Sequence, residues 1–351
     1  MHQPIHTLYG GAHLFKSTTC SKLNLLAQRS FAEFAPDSAT LVELFGIPEP
    51  LAATVHARVT EKLRRGAIED FRIDFEDGFG VRTEAEEDAA VDNAAREVTA
   101  AVETLPPMFG IRIKSFHAET EARALRTLDR FLSQATLPKN FVVTLPKVTS
   151  PEQVVGLIEA LRPYPSARIE IMVETPESIF ILPKLVEAAQ GKCIAAHFGA
   201  YDYTSSLGIT AAHQTLRHPA CEFARSMMLA SLAGTGVWLA DGATNILPIP
   251  PAVHEGWKAH YANVRHALYN GFYQGWDLHP AQIPARLAAV YAFFLEGLDE
   301  ASTRLRNFRD REQQATRVGA LFDDAATGRG LLNYFERAVH CGAIGEEEVP
   351  R

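Results

Sequence analysis

Two acids, Glu174 and Asp202, sit just past short apolar runs, Ile169–Val173 and Ile194–Phe198. Runs of that length read as strands, and acids at the ends of neighbouring strands can converge on one point. Two carboxylates that leave positions for water and substrate oxygens describe an octahedral Mg²⁺ site better than a zinc site. No H-E-x-x-H spacing argues for zinc. Each acid could equally cap the helix that follows it, a common place for Asp and Glu. Convergence of several such groups on one face tips the balance towards function.

More polar residues share this placement. Asp74, Glu76 and Asp77 go with the run Phe71–Phe75, Arg112 and Lys114 with Phe109–Ile113, and Lys147 with Phe141–Leu145. Asp241 closes Val237–Ala240, while Thr7–Gly11 and Phe272–Leu278 complete a set of eight strands. Between them lie stretches of helical period such as Glu84–Glu103, where Val91, Ala94, Ala95, Val98 and Val102 share a face. Strands alternating with helices imply parallel pairing through right-handed crossovers. The strands read as apolar throughout, as expected when both faces are buried. An open doubly wound sheet would alternate likewise, but Gly78 and Gly80 lack the third glycine of a dinucleotide turn.

The fold class expected is therefore α/β, a (β/α)₈ TIM barrel with extra N-terminal and C-terminal helices, whose strand ends face one mouth. Residues 1–299 would form the barrel, with a helical insertion at about 16–48. Residues 300–351 would form a helical extension, with helices around Thr303–Val318 and Leu331–Val339 and a loop Asp323–Gly330 between them.

An ordered set of motifs resembles the HpcH/HpaI aldolase and citrate lyase β-subunit family, which includes malyl-CoA lyase. Asp74-Phe75-Glu76-Asp77 is similar to its D-x-E-D segment, Ile111-Arg112-Ile113 to its strand-three arginine, and Leu145-Pro146-Lys147-Val148 to its L-P-K-V. Val173-Glu174-Thr175 resembles the segment with its metal-binding glutamate, and Phe198-Gly199-Ala200-Tyr201-Asp202 the F-G-x-x-D with its second metal ligand. Ala224-Arg225-Ser226, Ala240-Asp241-Gly242, Gly271-Phe272 and Leu278-His279-Pro280-Ala281-Gln282 continue the series to about residue 285. The chain departs from the family at Gly10-Gly11-Ala12-His13, at Lys114 and at Pro176.

The resemblance implies a Mg²⁺- or Mn²⁺-dependent carbon–carbon lyase acting on a 2-oxo acid or an acyl thioester. Glu174 and Asp202 would bind the metal, and the ion would polarise a carbonyl. Arg112 would grip a carboxylate through a bidentate fork. Glu76 and Asp77 would order water or the arginine, and Lys147 completes the catalytic set. Backbone amides at Gly199, Ala200 and Tyr201 are expected to help hold the keto-acid carboxylate. Coenzyme A is the expected acyl carrier if one is used, and His13 or a metal-bound water the proton carrier. Two other enzymatic readings stand beside this one: a Schiff-base aldolase using Lys147, and a phosphoenolpyruvate-using barrel. A ligand-binding barrel without catalysis is the reading from another class.

Bulk properties are those of an ordinary soluble globular protein. The 351 residues carry a formal charge of −8, and no basic stripe is longer than the short Lys62–Arg65 cluster, so no nucleic-acid partner is expected. No apolar stretch is long enough for a membrane span, and Met1–Tyr9 does not read as a signal peptide, so a cytoplasmic protein is expected. Cys20, Cys193, Cys221 and Cys341 are too scattered for a zinc knuckle or disulfide framework. His279-Pro280 reads as a helix start, and Trp238, Trp257 and Trp276 as core or interface residues. The family resemblance implies a homo-oligomer, a trimer or hexamer.

Overall fold

The computed structural model describes residues 2–310, 316–318, 321–323 and 325–350. Eight parallel strands close into a barrel in sequence order: β1 His6–Gly11, β2 Asp70–Asp74, β3 Met108–Arg112, β4 Phe141–Leu145, β5 Arg168–Val173, β6 Cys193–Phe198, β7 Trp238–Asp241 and β8 Gln274–Asp277. Every run read as a strand falls on one of these, with ends moved by a residue or two. Lys114 lies two residues beyond β3 and not within it.

The crossovers are helices: α3 Glu49–Arg65, α4 Glu84–Ala101, α5 Glu121–Gln134, α6 Pro151–Ala160, α7 Pro176–Ala188, α9 Pro219–Leu232, α10 Val253–Tyr269 and α11 Ile283–Glu296, with a short α8 Ala200–Ser206 after β6. Each begins where sequence chemistry permits. Thr83 and Glu86 form a reciprocal capping box at α4. Thr175 caps α7, and Pro176 occupies its first turn, where a missing N–H costs nothing. That accounts for the unusual proline after Glu174-Thr175. On α4, Val91, Ala94, Ala95 and Val98 are buried as one stripe.

The insertion at 16–48 holds two helices, α1 Thr19–Phe34 and α2 Ser38–Phe45. α1 packs against α3 and against the turn Pro280–Gln282 after β8. At the other end, α12 Leu298–Asp310 and α13 Ala325–His340 pack on α11. Here two expectations fail. The helix expected to reach Val318 is described as far as Asp310, and Thr316–Val318 is not helical but pairs antiparallel with Leu321–Asp323, as strands β9 and β10. The expected loop Asp323–Gly330 is mostly the first turns of α13. Residues 311–315 of the expected helix lie outside the described residues. Ala301, Leu305, Leu331, Phe335 and Ala338 join the hydrophobic core beneath the barrel helices.

All four cysteines are free and buried. Among the described residues, no helix is long and apolar enough to cross a membrane.

Candidate active site

The C-terminal ends of β2 to β6 gather the acids and bases singled out in the sequence. Glu174, one residue past β5, is buried, and its Oε1 accepts a hydrogen bond of 2.7 Å from the Lys147 amide. Lys147 presents that amide from a left-handed backbone, φ 51°, while its carbonyl oxygen contacts His117 Nε2 at 2.9 Å. An L-residue rarely adopts that conformation unless its surroundings hold it there. Asp202, in the first turn of α8, is half-exposed. Its Oδ1 lies 3.8 Å from Lys147 Nζ. The same ammonium pairs with Glu76 and stands 3.0 Å from Asp77 Oδ2.

Charge is unevenly balanced here. Burial pushes the Glu174 pKa up to about 8, Lys147 and Arg112 pull against it, and Asp202 and Glu76 reinforce it. Burial draws Lys147 the other way, but the Glu174, Glu76 and Asp202 carboxylates and its hydrogen bond to Glu76 prevail, holding it above the ordinary lysine value. Lys147 is thus a fixed cation and Glu174 a carboxylate short of positive charge.

Arg112 is fully buried beside them, stacked over Tyr9 and Trp276 with its guanidinium 5.0 Å and 5.4 Å from the ring centres. Its Nε and Nη2 grip the two oxygens of Asp74 at 2.8 Å and 2.5 Å. The bidentate fork expected for a substrate is therefore engaged by Asp74. Nη1 donates to the buried Met172 Sδ at 3.5 Å and lies 3.2 Å from Glu76 Oε2 and 3.9 Å from Asp77 Oδ2. Asp74 also accepts from the Glu76 and Gly78 amides, which fixes the loop carrying Glu76 and Asp77.

A family model described as a domain of unknown function, DUF6986, matches residues 1–351. The chain belongs to the DUF6986 family. No curated protein matches it. Among solved structures it resembles a citrate lyase from Burkholderia xenovorans LB400, at 19% identity and TM-score 0.69, with 99% of this chain and 96% of that one covered. It also resembles CitE from Mycobacterium tuberculosis in complex with magnesium, acetoacetate and coenzyme A, at 20% identity and TM-score 0.62, covering 96% and 98%. A citrate lyase β-subunit from the same organism, complexed with oxaloacetate and magnesium, matches at 20% identity and TM-score 0.51, covering 82% and 96%. The DUF6986 chain thus shares the fold of these lyases.

The remaining candidates of the DUF6986 chain divide clearly. The Gly199 amide donates to the Val173 carbonyl at 3.0 Å, so it is not free for a substrate. Gly199 has a different reason to be glycine: a Cβ there would collide with Glu174 Oε2 and stand 2.5 Å from its Cβ. Ala200 and Tyr201 begin α8, where amides have no acceptor within the helix. The Tyr201 hydroxyl donates to the Ala243 carbonyl at 2.9 Å. Lys114 turns away to the Phe75 carbonyl and Glu87. Asp241 pairs with the buried Arg225, Nε to Oδ1 2.9 Å, and holds α9 against β7. His13 is exposed on the turn after β1, beside the ring of Phe79. His279 caps the turn Pro280–Gln282.

The reading of the strands as apolar throughout is corrected by the barrel interior. Thr7 donates to Asp70, which pairs with Arg72, and Arg72 Nε donates to Thr144 at 3.1 Å. Thr144 and the Tyr9 hydroxyl both donate to Glu170 Oε1, at 2.7 Å and 3.0 Å, and the Tyr9 oxygen lies 3.2 Å from His197 Nδ1. Tyr9 on β1 and Glu170 on β5 stand on opposite walls, so their contact crosses the interior. The signal was present in the sequence. Asp70-Phe71-Arg72-Ile73-Asp74 and Glu170-Ile171-Met172-Val173-Glu174 alternate with the period of a strand, charged groups mostly on one face.

Among the described residues, no three or more His, Cys, Asp or Glu side chains are already gathered as a metal cage. Glu174 and Asp202 nevertheless fit a hard divalent ion: both offer carboxylate oxygens, and Glu174 is buried short of positive charge.

Proposed function

We propose that this DUF6986 chain is a Mg²⁺- or Mn²⁺-dependent carbon–carbon lyase that makes or breaks the bond beside the carbonyl of a 2-oxo acid. The observation that carries the reading is the placement of Glu174. It is a buried carboxylate one residue past β5, joined through Lys147 to Asp202 beyond the adjacent β6. The fold likeness to citrate lyase structures holding magnesium with oxaloacetate or acetoacetate supports it.

Glu174 and Asp202 are the residues that would hold the ion. When bound, such an ion polarises a ketone and stabilises negative charge on its oxygen as the adjacent bond changes. Arg112 Nη1 would have to leave Glu76 to serve a substrate carboxylate, the other guanidinium nitrogens being fixed by Asp74. The Ala200 and Tyr201 amides offer further donors for that carboxylate. Glu76 and Asp77 hold Lys147 and Arg112 Nη1 at the mouth. The high pKa of Lys147 argues against a Schiff base, which needs a neutral amine.

The test is turnover of 2-oxo acids, with and without acyl-coenzyme A partners, in Mg²⁺ and after chelation. Turnover that chelation stops and that Glu174→Gln abolishes in a folded protein is the expected result. Undiminished turnover in Glu174→Gln rejects the assignment, as does Mg²⁺ binding with no turnover across the whole panel.

A further inference from the structure

The lysine that touches the metal-binding acids occupies a notable position. Its backbone is pinned: the amide donates to Glu174, the carbonyl contacts His117, and φ is 51°. Its side chain is not pinned to one partner. Nζ is shared among Glu76, Asp77 at 3.0 Å and Asp202 at 3.8 Å, and the Asp202 contact is the longest of the three.

We infer that the Lys147 ammonium is the resident counter-ion of this acid cluster. On this inference it gives up Asp202, and keeps Glu76 and Asp77, when a divalent ion binds between Glu174 and Asp202. The inference rests on the metal-site reading given above.

Three features carry it. First, an ion joining Glu174 to Asp202 brings a second positive charge to the carboxylate that Nζ now faces across 3.8 Å, and two cations so close repel strongly in a partly desolvated site. Second, Lys147 has somewhere to go: Glu76 and Asp77 lie on the β2 loop, away from β5 and β6, and Asp74 holds that loop in place. Third, the residue type suits the task. A lysine is a point charge on a flexible stem that can re-aim, whereas an arginine fork fixes its partners, as Arg112 does with Asp74. The half-exposed Asp202 is then the gate through which lysine and metal exclude each other.

Mn²⁺ binding, followed by electron paramagnetic resonance and calorimetry without any substrate, tests this. Lys147→Met should bind Mn²⁺ more tightly than the parent, by about tenfold or more. A crystal of the parent protein with Mn²⁺ should show Nζ beyond about 4 Å from Asp202 and still on Glu76 or Asp77. Equal or weaker Mn²⁺ binding by Lys147→Met overturns the inference, as does an Nζ that stays on Asp202 beside the bound ion. Lys147→Gln repeats the measurement should the methionine variant fail to fold. Absence of Mn²⁺ binding by all these proteins, under conditions where they are folded, overturns the metal-site reading itself and this inference with it.

Discussion

Gly199 and Glu174 are in such close approach that the glycine has no room for a side chain: a Cβ would run into the glutamate's Oε2 and Cβ. Gly199→Ala should therefore displace the carboxylate while leaving the barrel closed. Mn²⁺ affinity is expected to fall at least about tenfold, because a ligand displaced by an ångström no longer meets the ion. Calorimetric titration of the folded variant measures this. Unchanged affinity would mean that Glu174 does not depend on that space.

The raised pKa of Glu174 gives metal binding a direction in pH. Its folded value of about 8 lies above the ordinary 4.5, so across that interval the metal-free protein holds a proton that the ion must expel. Affinity for Mg²⁺ should rise by up to about tenfold per pH unit towards pH 8 and level off above it. In the absence of metal the same shift acts on stability. The protonated acid suits the fold at low pH, and that contribution is lost as pH rises through the folded value. Titrations of affinity from about pH 5.5 to about pH 9, a window that brackets the folded value, decide the matter. A flat profile would exclude Glu174 as the ligand that titrates.

Asp74 is the buried partner on which Arg112 depends, through two hydrogen bonds of 2.8 Å and 2.5 Å. Asp74→Ala leaves a guanidinium charge in the interior with its main partner gone. A stability loss of about 3–5 kcal/mol is expected, measured by urea unfolding. A loss below about 1 kcal/mol would show that Glu76 and Asp77 alone suffice to compensate Arg112.

Glu170 should dominate part of the acid response. Burial opposes its ionisation, yet Arg72, and then His197 and Thr144, hold its pKa down to about 2. A depressed acid contributes stability that is present above its unfolded value and lost as pH falls through the folded one. The advantage of the parent over Glu170→Gln should be full above about pH 4.5 and fade towards about pH 2. Chemical unfolding of both proteins across that window measures it. A constant difference would mean that Glu170 is not ionised in the folded protein.

The strands and the mouth were legible in the sequence for physical reasons. A parallel strand covered by helices needs apolar residues facing them, so the eight runs stand out against the polar loops. Groups at strand ends share one face of a closed barrel, so the sequence alone brings Glu174, Asp202, Glu76 and Lys147 together. The interior was harder. Arg72 pairs with nearby Asp70 but also meets Thr144 and Glu170 much farther along the chain, and Tyr9 meets Glu170 and His197 farther still. Local periodicity marks such residues as sharing a face but does not name their partners. Arg112 was legible as a mouth residue, yet its fork was assigned to a substrate because Asp74, 38 positions earlier, was not seen as its mate. The C-terminal pair β9 and β10 is not legible, because two three-residue strands leave little alternation to detect.

The charged lattice inside the barrel sets a rule for how such proteins can diverge. Exposed loop positions that touch neither Glu174 nor Asp74 can be rewritten one residue at a time, since water accepts whatever they present. Asp70, Arg72, Glu170 and Tyr9 have no such latitude, because losing any one strands its neighbour in a dry space. Lineages and designers alike must exchange that set together, or keep it and seek novelty only at the rim.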